Sequence, residues 1–207
     1  MNIEILIGFI TATSLLAISP GPDNIYVLMQ SIVNGRKYGI ATVVGLITGC
    51  IIHTTVVAFG AATILKENKD IFFVIKLLGA LYLVYLAYTV FKSSGDIELG
   101  SDAVPKKSVF QLFKQGFIMN VLNPKVTIFF LSFFPGFLFS DTMSEVVQFY
   151  ILGGLFMLVS FIIFSSFALL AGTISETIKK NKNIGTYMKW LQIVVFVGIA
   201  VYIMLTD

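Results

Sequence analysis

Cysteine occurs once, at Cys50, in a chain of 207 residues. An internal disulfide, a CxxC redox pair and a thiolate metal cluster are thereby excluded. Histidine also occurs once, at His53. Charged residues make up 12% of the chain, against about 25% in a soluble domain. No basic, aromatic-interleaved stretch of the kind that binds nucleic acid is present. The opening MNIEILIGFI has no positive n-region and carries Glu4 instead, so it reads as a retained membrane segment and not as a cleaved signal peptide.

Apolar residues fill the space these absences leave. They account for 57% of the chain, including twenty phenylalanines, and the mean hydropathy is +0.93. A small soluble core cannot hide that much apolar surface. The charges are clustered, and long uncharged stretches of spanning length separate them. The expected class is an all-α, multi-pass membrane protein with six transmembrane segments, near 4–33, 39–65, 71–92, 110–139, 145–173 and 187–205. The first and fourth exceed the roughly 20 residues that a straight span needs. A polar, turn-forming linker at 94–107 divides a single transporter-like domain, 1–207, into halves of about 1–93 and 108–207.

Lysine and arginine set the expected orientation. With the N-terminus outside, the cytoplasmic side collects Arg36, Lys37, Lys92, Lys106, Lys107, Lys114, Lys179, Lys180, Lys182 and Lys189, and the outside only Lys66 and Lys69. Three spans per half place the second half upside down relative to the first, as an inverted 3+3 repeat requires. The halves echo each other in Gly-rich second segments and in third segments that open with a lysine, Lys76 and Lys189.

Helices 1 and 4 are each broken at a proline motif, LLAIS-PGPDN-IYVLM and MNVL-NPK-VTIFFLSFFPGF. Proline has no N–H and clashes with the carbonyl four residues back. Pro22 therefore frees the carbonyl of Ile18, Pro20 that of Leu16, and Pro124 that of Asn120. Proline is also well suited to the first position of a new helix behind an Asn, Ser or Gly cap. Each restarted helix presents unpaired N–H groups and partial positive charge, which suit a carboxylate, and the freed carbonyls suit an ammonium. A broken helix inside a bilayer is tolerated where it lines a polar cavity. Prolines that merely kink helices for packing are the competing explanation for either break alone.

Each break carries a deep charge, Asp23 in one and Lys125 in the other, and each such charge costs about 2.5–3.5 kcal/mol near a helix centre. The candidate substrate-binding residues are Gly21, Pro22, Asp23, Asn24, Asn120, Asn123, Pro124, Lys125 and Lys76. Asp23 and His53 are candidate proton carriers, since a lone intramembrane histidine can relay protons near neutral pH. An ion pair between Asp23 and Lys125, snorkelling by Lys76 and a packing role for His53 beside Thr54 and Thr55 stay open as structural alternatives. Gly35, Gly39, Gly45 and Gly49 read as close helix packing.

The string SPGPDNIYVLMQSIVNGRKYGIATVVGLITGCIIHTTVVAFG, with KLLGALYLVYLAY and FKQGFIMNVLNPKVTIFFLSFFPGF, resembles the LysE/RhtB family of amino-acid exporters. The matching positions are Pro20, Gly21, Pro22, Asn24, Gly45, Gly49, His53, Lys76, Gly79, Tyr82, Asn120, Asn123, Pro124 and Lys125. Ala87 stands where the family often has glycine. The resemblance implies a multi-pass carrier in the bacterial inner membrane that exports amino acids against protons. Its partners would be the amino-acid substrate, protons and membrane lipid, with no nucleic acid and no cofactor; a homo-oligomer stays open. A single buried carboxylate, Asp23, favours a small neutral cargo of the threonine or homoserine kind over a cationic one. Export of a metal or inorganic cation such as cadmium is the alternative, although one Cys, one His and one deep carboxylate make a thin ligand set. An enzyme is not expected: a thiol–disulfide carrier needs two cysteines, and no protease dyad is evident.

Overall fold

The computed structural model describes residues 2–19, 21–67, 69–94, 107–181 and 183–205. Pro20 and nearly all of the 94–107 linker lie outside the described residues. Among the described residues the secondary structure is helical: α1 (Ile3–Ile18), α2 (Pro22–Val33), α3 (Arg36–Glu67), α4 (Lys69–Lys92), α5 (Val109–Val121), α6 (Pro124–Phe133), a 3-10 turn (Phe134–Phe137), α7 (Glu145–Leu169), α8 (Ala171–Lys180) and α9 (Ile184–Leu205). Among the described residues, four stretches are long and apolar enough to cross a bilayer alone: Arg36–Gly60, Asp70–Lys92, Glu145–Leu169 and Ile184–Leu205. The pairs α1–α2 and α5–α6 each reach spanning length only together, bent by 58° and 52°. Counting each bent pair as one crossing gives up to six spans.

Local sequence accounts for the boundaries. Asn2 caps α1 through its side-chain oxygen, which accepts the Glu4 N–H. Ser108 and Gln111 form a reciprocal capping box at α5. Ser144 caps α7, and Gly35 takes φ +102° in the turn from α2 to α3, a conformation that side chains rarely adopt. One boundary differs from the sequence expectation of a fifth segment reaching residue 173. Leu170 leaves helical geometry at ψ 12°, and α8 follows as a separate helix. Its Thr173, Ile174, Thr177 and Ile178 face a groove while Glu176 and Lys180 pair on the exposed side. That amphipathic pattern suits a helix lying at an interface, not one continuing across apolar lipid.

α3 is the central span: 56% of its apolar window is buried, against 28% for α4 and for α9. It packs on α5, α7 and α2, while α4 packs on α9 and α6, and α1 on α7. Glycine lets α3 and α5 approach closely. A Cβ on Gly45 would overlap the Phe113 carbonyl oxygen, and one on Gly116 the Thr42 carbonyl oxygen. The core is largely phenylalanine. Phe129, Phe130, Phe133, Phe134 and Phe137 run along α6 and its 3-10 extension against Phe9 and Phe156, with ring pairs 4.1–5.9 Å apart. The outward faces of α4 and α9 carry Leu78, Tyr85, Val194 and Val201, all more than half exposed. Apolar surface on that scale is stable against acyl chains and not against water.

Buried Gln148 of α7 secures the 138–144 loop. Its side chain accepts from the Phe139 and Ser140 N–H groups and donates to the Ser140 and Met143 carbonyls, over 2.7–2.9 Å.

Candidate functional site

α2 begins at Pro22 behind Gly21, which has no side chain to cap with. α6 begins at Pro124 behind Asn123, whose side-chain oxygen accepts the Lys125 N–H at 3.0 Å. The two starts meet. Asn123 Nδ2 donates to Asp23 Oδ2 across a sequence separation of 100 residues, at 3.2 Å. The Lys125 ammonium lies 3.7 Å from where a Cβ of Gly21 would stand, an ordinary van der Waals distance that places the two helix starts side by side. The same ammonium sits over the ring of Phe196 in α9, 4.5 Å from its centroid, a cation–π contact. Asp23 and Lys125 face one cavity but make no direct ion pair.

That cavity has a volume of about 60 Å³. Of the residues singled out from the sequence, Gly21, Pro22, Asp23, Asn24, Asn120, Asn123 and Lys125 line it. Pro124 does not; it opens α6 beside it. Lys76 lies elsewhere, buried in α4 with its ammonium 5.7 Å from the Phe72 ring. The lining also includes Ser19, Cys50, Phe156 and Ser160, which the sequence did not single out. Each of these resembles the ordinary small and aromatic residues of a span, and only the third dimension distinguishes them.

The freed backbone is satisfied differently at the two starts. Asn24 Nδ2 donates to the carbonyls of Ala17 and Ser19, at 2.9 and 3.1 Å, which stitches the end of α1 to the start of α2. The Asn120 carbonyl, four residues before Pro124, receives His53 Nε2 at 3.0 Å. A carbonyl only accepts, so Nε2 carries the proton there. Nδ1 faces Thr127 Oγ1 at 3.5 Å, and Thr127 in turn lies 3.3 Å from the Asn123 carbonyl. His53 therefore borders the cavity through Asn120 without lining it. Gly49 makes room for the Asn120 side chain, whose Oδ1 would lie 2.7 Å from a Cβ at that position.

A second cavity of about 230 Å³ lies between α2, α8 and the start of α9, with walls almost entirely apolar. Asn24 lines both cavities. No group of three or more His, Cys, Asp or Glu side chains gathers among the described residues.

A family model described as LysE type translocator matches residues 14–207. Two curated relatives, the homoserine/homoserine lactone efflux proteins of Salmonella typhimurium (strain LT2) and Salmonella typhi, are each 31% identical to the chain over 183 residues. The matched region covers 88% of this chain and 88% of each relative. No solved structure matches. The chain belongs to the LysE family of translocators, and its paired helix starts lie within the matched region.

Proposed function

We propose that the protein exports a small neutral amino acid, of the threonine or homoserine kind, across the bacterial inner membrane in exchange for protons. The observation that carries this reading is the hydrogen bond from Asn123 to Asp23, with Lys125 beside Gly21 on the same cavity. One acidic and one basic group on the same cavity suit a small zwitterion, for which the cavity of about 60 Å³ has to widen. The cargo carboxylate meets Lys125 and the N–H groups at the α6 start, and its ammonium meets Asp23. Asp23 and His53 carry the coupled protons. The likeness to the two Salmonella homoserine/homoserine lactone efflux proteins supports an amino-acid type of cargo.

The packing also supports an inverted 3+3 repeat as the frame of the carrier. Exchanging the halves turns the α3–α5 contact into α7–α1 and leaves α3–α7 and α4–α9 as their own images, and all four pairs are in contact, while α2–α3 and α4–α6 have no counterpart of similar extent. The lysine and arginine bias puts both termini outside and the 94–107 linker in the cytoplasm.

The deciding experiment is efflux of a panel of labelled amino acids from proteoliposomes, with and without a pH gradient. Gradient-stimulated efflux of threonine or homoserine is the expected result. Efflux of none of the panel, or cadmium efflux alone, would reject the reading.

A further inference from the structure

Six buried side-chain oxygens among the described residues have no hydrogen-bond partner in the protein: Thr13 Oγ1, Ser19 Oγ, Tyr26 Oη, Asn120 Oδ1, Glu145 Oε2 and Ser165 Oγ. Only two of these residues, Ser19 and Asn120, line the cavity between the helix starts. They are 2% and 5% exposed. A buried polar atom left unpaired is costly, and native proteins rarely keep one without a function or a bound molecule to meet it.

The placement of the two residues sets them apart from the charges. Ser19 ends α1, where its N–H closes on the Leu15 carbonyl, and Asn120 belongs to the last turn of α5. Asp23 and Lys125 belong instead to the first turns of α2 and α6. The two unpaired neutral groups thus stand at the helices that end, and the two charges at the helices that begin. Leu46, Ile47, Phe156 and Phe164 supply apolar wall.

Resting on the amino-acid export proposed above, we propose that Ser19 and Asn120 form a side-chain subsite that reads a hydroxyl group on the cargo. A carboxamide oxygen only accepts, whereas a serine hydroxyl both donates and accepts. A cargo hydroxyl can donate to Asn120 Oδ1 or accept from Ser19 Oγ–H. A methyl group in the same place can do neither. A site built to hydrogen-bond a hydroxyl discriminates strongly against the analogue that lacks it, where a plain apolar pocket does not.

The test is efflux from proteoliposomes of the full-length protein, using two pairs of labelled cargo: homoserine against 2-aminobutyrate, and threonine against valine. Each pair differs by the hydroxyl. The wild type is expected to favour the hydroxylated member of each pair by about tenfold or more. Ser19→Ala and Asn120→Ala are expected to collapse that ratio. A wild-type ratio near one would overturn the subsite without any variant being needed. Ratios that survive in both variants would also overturn it and would mean that water alone meets these atoms. Failure of all four amino acids to leave the vesicles would instead remove the amino-acid export on which the subsite rests.

Discussion

The two helix starts solve one problem in two ways. At the first, Asn24 turns back on its own half and closes the Ala17 and Ser19 carbonyls. At the second, the bonds run outward: Asn123 reaches Asp23 of α2, and the Asn120 carbonyl is held by His53 of α3. The first start is therefore a local stitch, and a change in it is contained. The second is a junction of three elements, and a change in it is felt by each of them. The asymmetry follows from single residues. Asn123 precedes its proline, so its side chain can cap α6 and still offer an amide across the cavity. Asn24 follows its proline, and its amide faces back toward α1.

The strongest break of this comparison is at the charges. Lys125→Met is expected to abolish export while the protein still inserts, and Asp23→Asn to stop gradient-driven export. Combining the two should restore nothing, because each charge has its own role in the export proposed above. Efflux and expression of the two single mutants and the double mutant decide it; recovery in the double mutant would convert both residues into a structural pair.

Next come the asparagines. Asn123→Ala removes a helix cap worth about 1 kcal/mol and also the partner of Asp23. Asn24→Ala strands two backbone carbonyls, at about 1–3 kcal/mol each where they stay buried. Asn123→Ala should thus cost more transport and Asn24→Ala more thermal stability. Efflux rates and melting curves on both proteins test the split, and the reverse order would erase the distinction between stitch and junction.

Helix packing gives a smaller contrast within α3. Gly45→Ala drives a methyl into the Phe113 backbone and is expected to cost about 1–3 kcal/mol. Gly60→Ala meets nothing within 4 Å and should be neutral or stabilising by up to about 1 kcal/mol, since alanine is the better helix former. Denaturation midpoints in detergent compare them.

The mildest change is His53→Gln, which keeps an N–H able to donate to the Asn120 carbonyl but cannot take up a proton. Exchange of cargo for cargo should persist while stimulation by a pH gradient falls. Unchanged stimulation would remove His53 from proton coupling and leave it as a brace for α5.

Much of this architecture is legible in the chain. Long uncharged stretches mark the four straight spans, since burying them in lipid requires little else of the sequence. The starts of α2 and α6 are legible because proline at the first helical position behind a Gly or Asn is a strong local signal. The cavity residues Asp23, Asn24, Asn123 and Lys125 stand out by being polar where polarity is expensive. Ser19 and Ser160 do not, because serine is inconspicuous in a membrane helix, where it commonly bonds its own backbone as Ser132 and Ser166 do. Lys76 stood out equally by its charge yet does not line the cavity, since charge alone does not tell which way a helix is turned. The separate helix α8 was hidden because its lysines and threonines read as the polar end of a span, and its amphipathic register emerges only once Leu170 breaks α7.

The phenylalanine run along α6 has a mechanical consequence. Phe129 stacks on Phe133, Phe130 on Phe134, and Phe133 leans on Phe137, which ties the helix and its 3-10 extension into one stiff arm. The arm starts at Asn123, beside the cavity, and its far end is held by Phe9 of α1 and Tyr202 of α9. Ten α-helical and four 3-10 residues span about 23 Å, so a tilt of about 10° at its start would sweep the far end through about 4 Å. A small rotation at the polar end would thus become, at the aromatic end, a displacement large enough to unseat a ring.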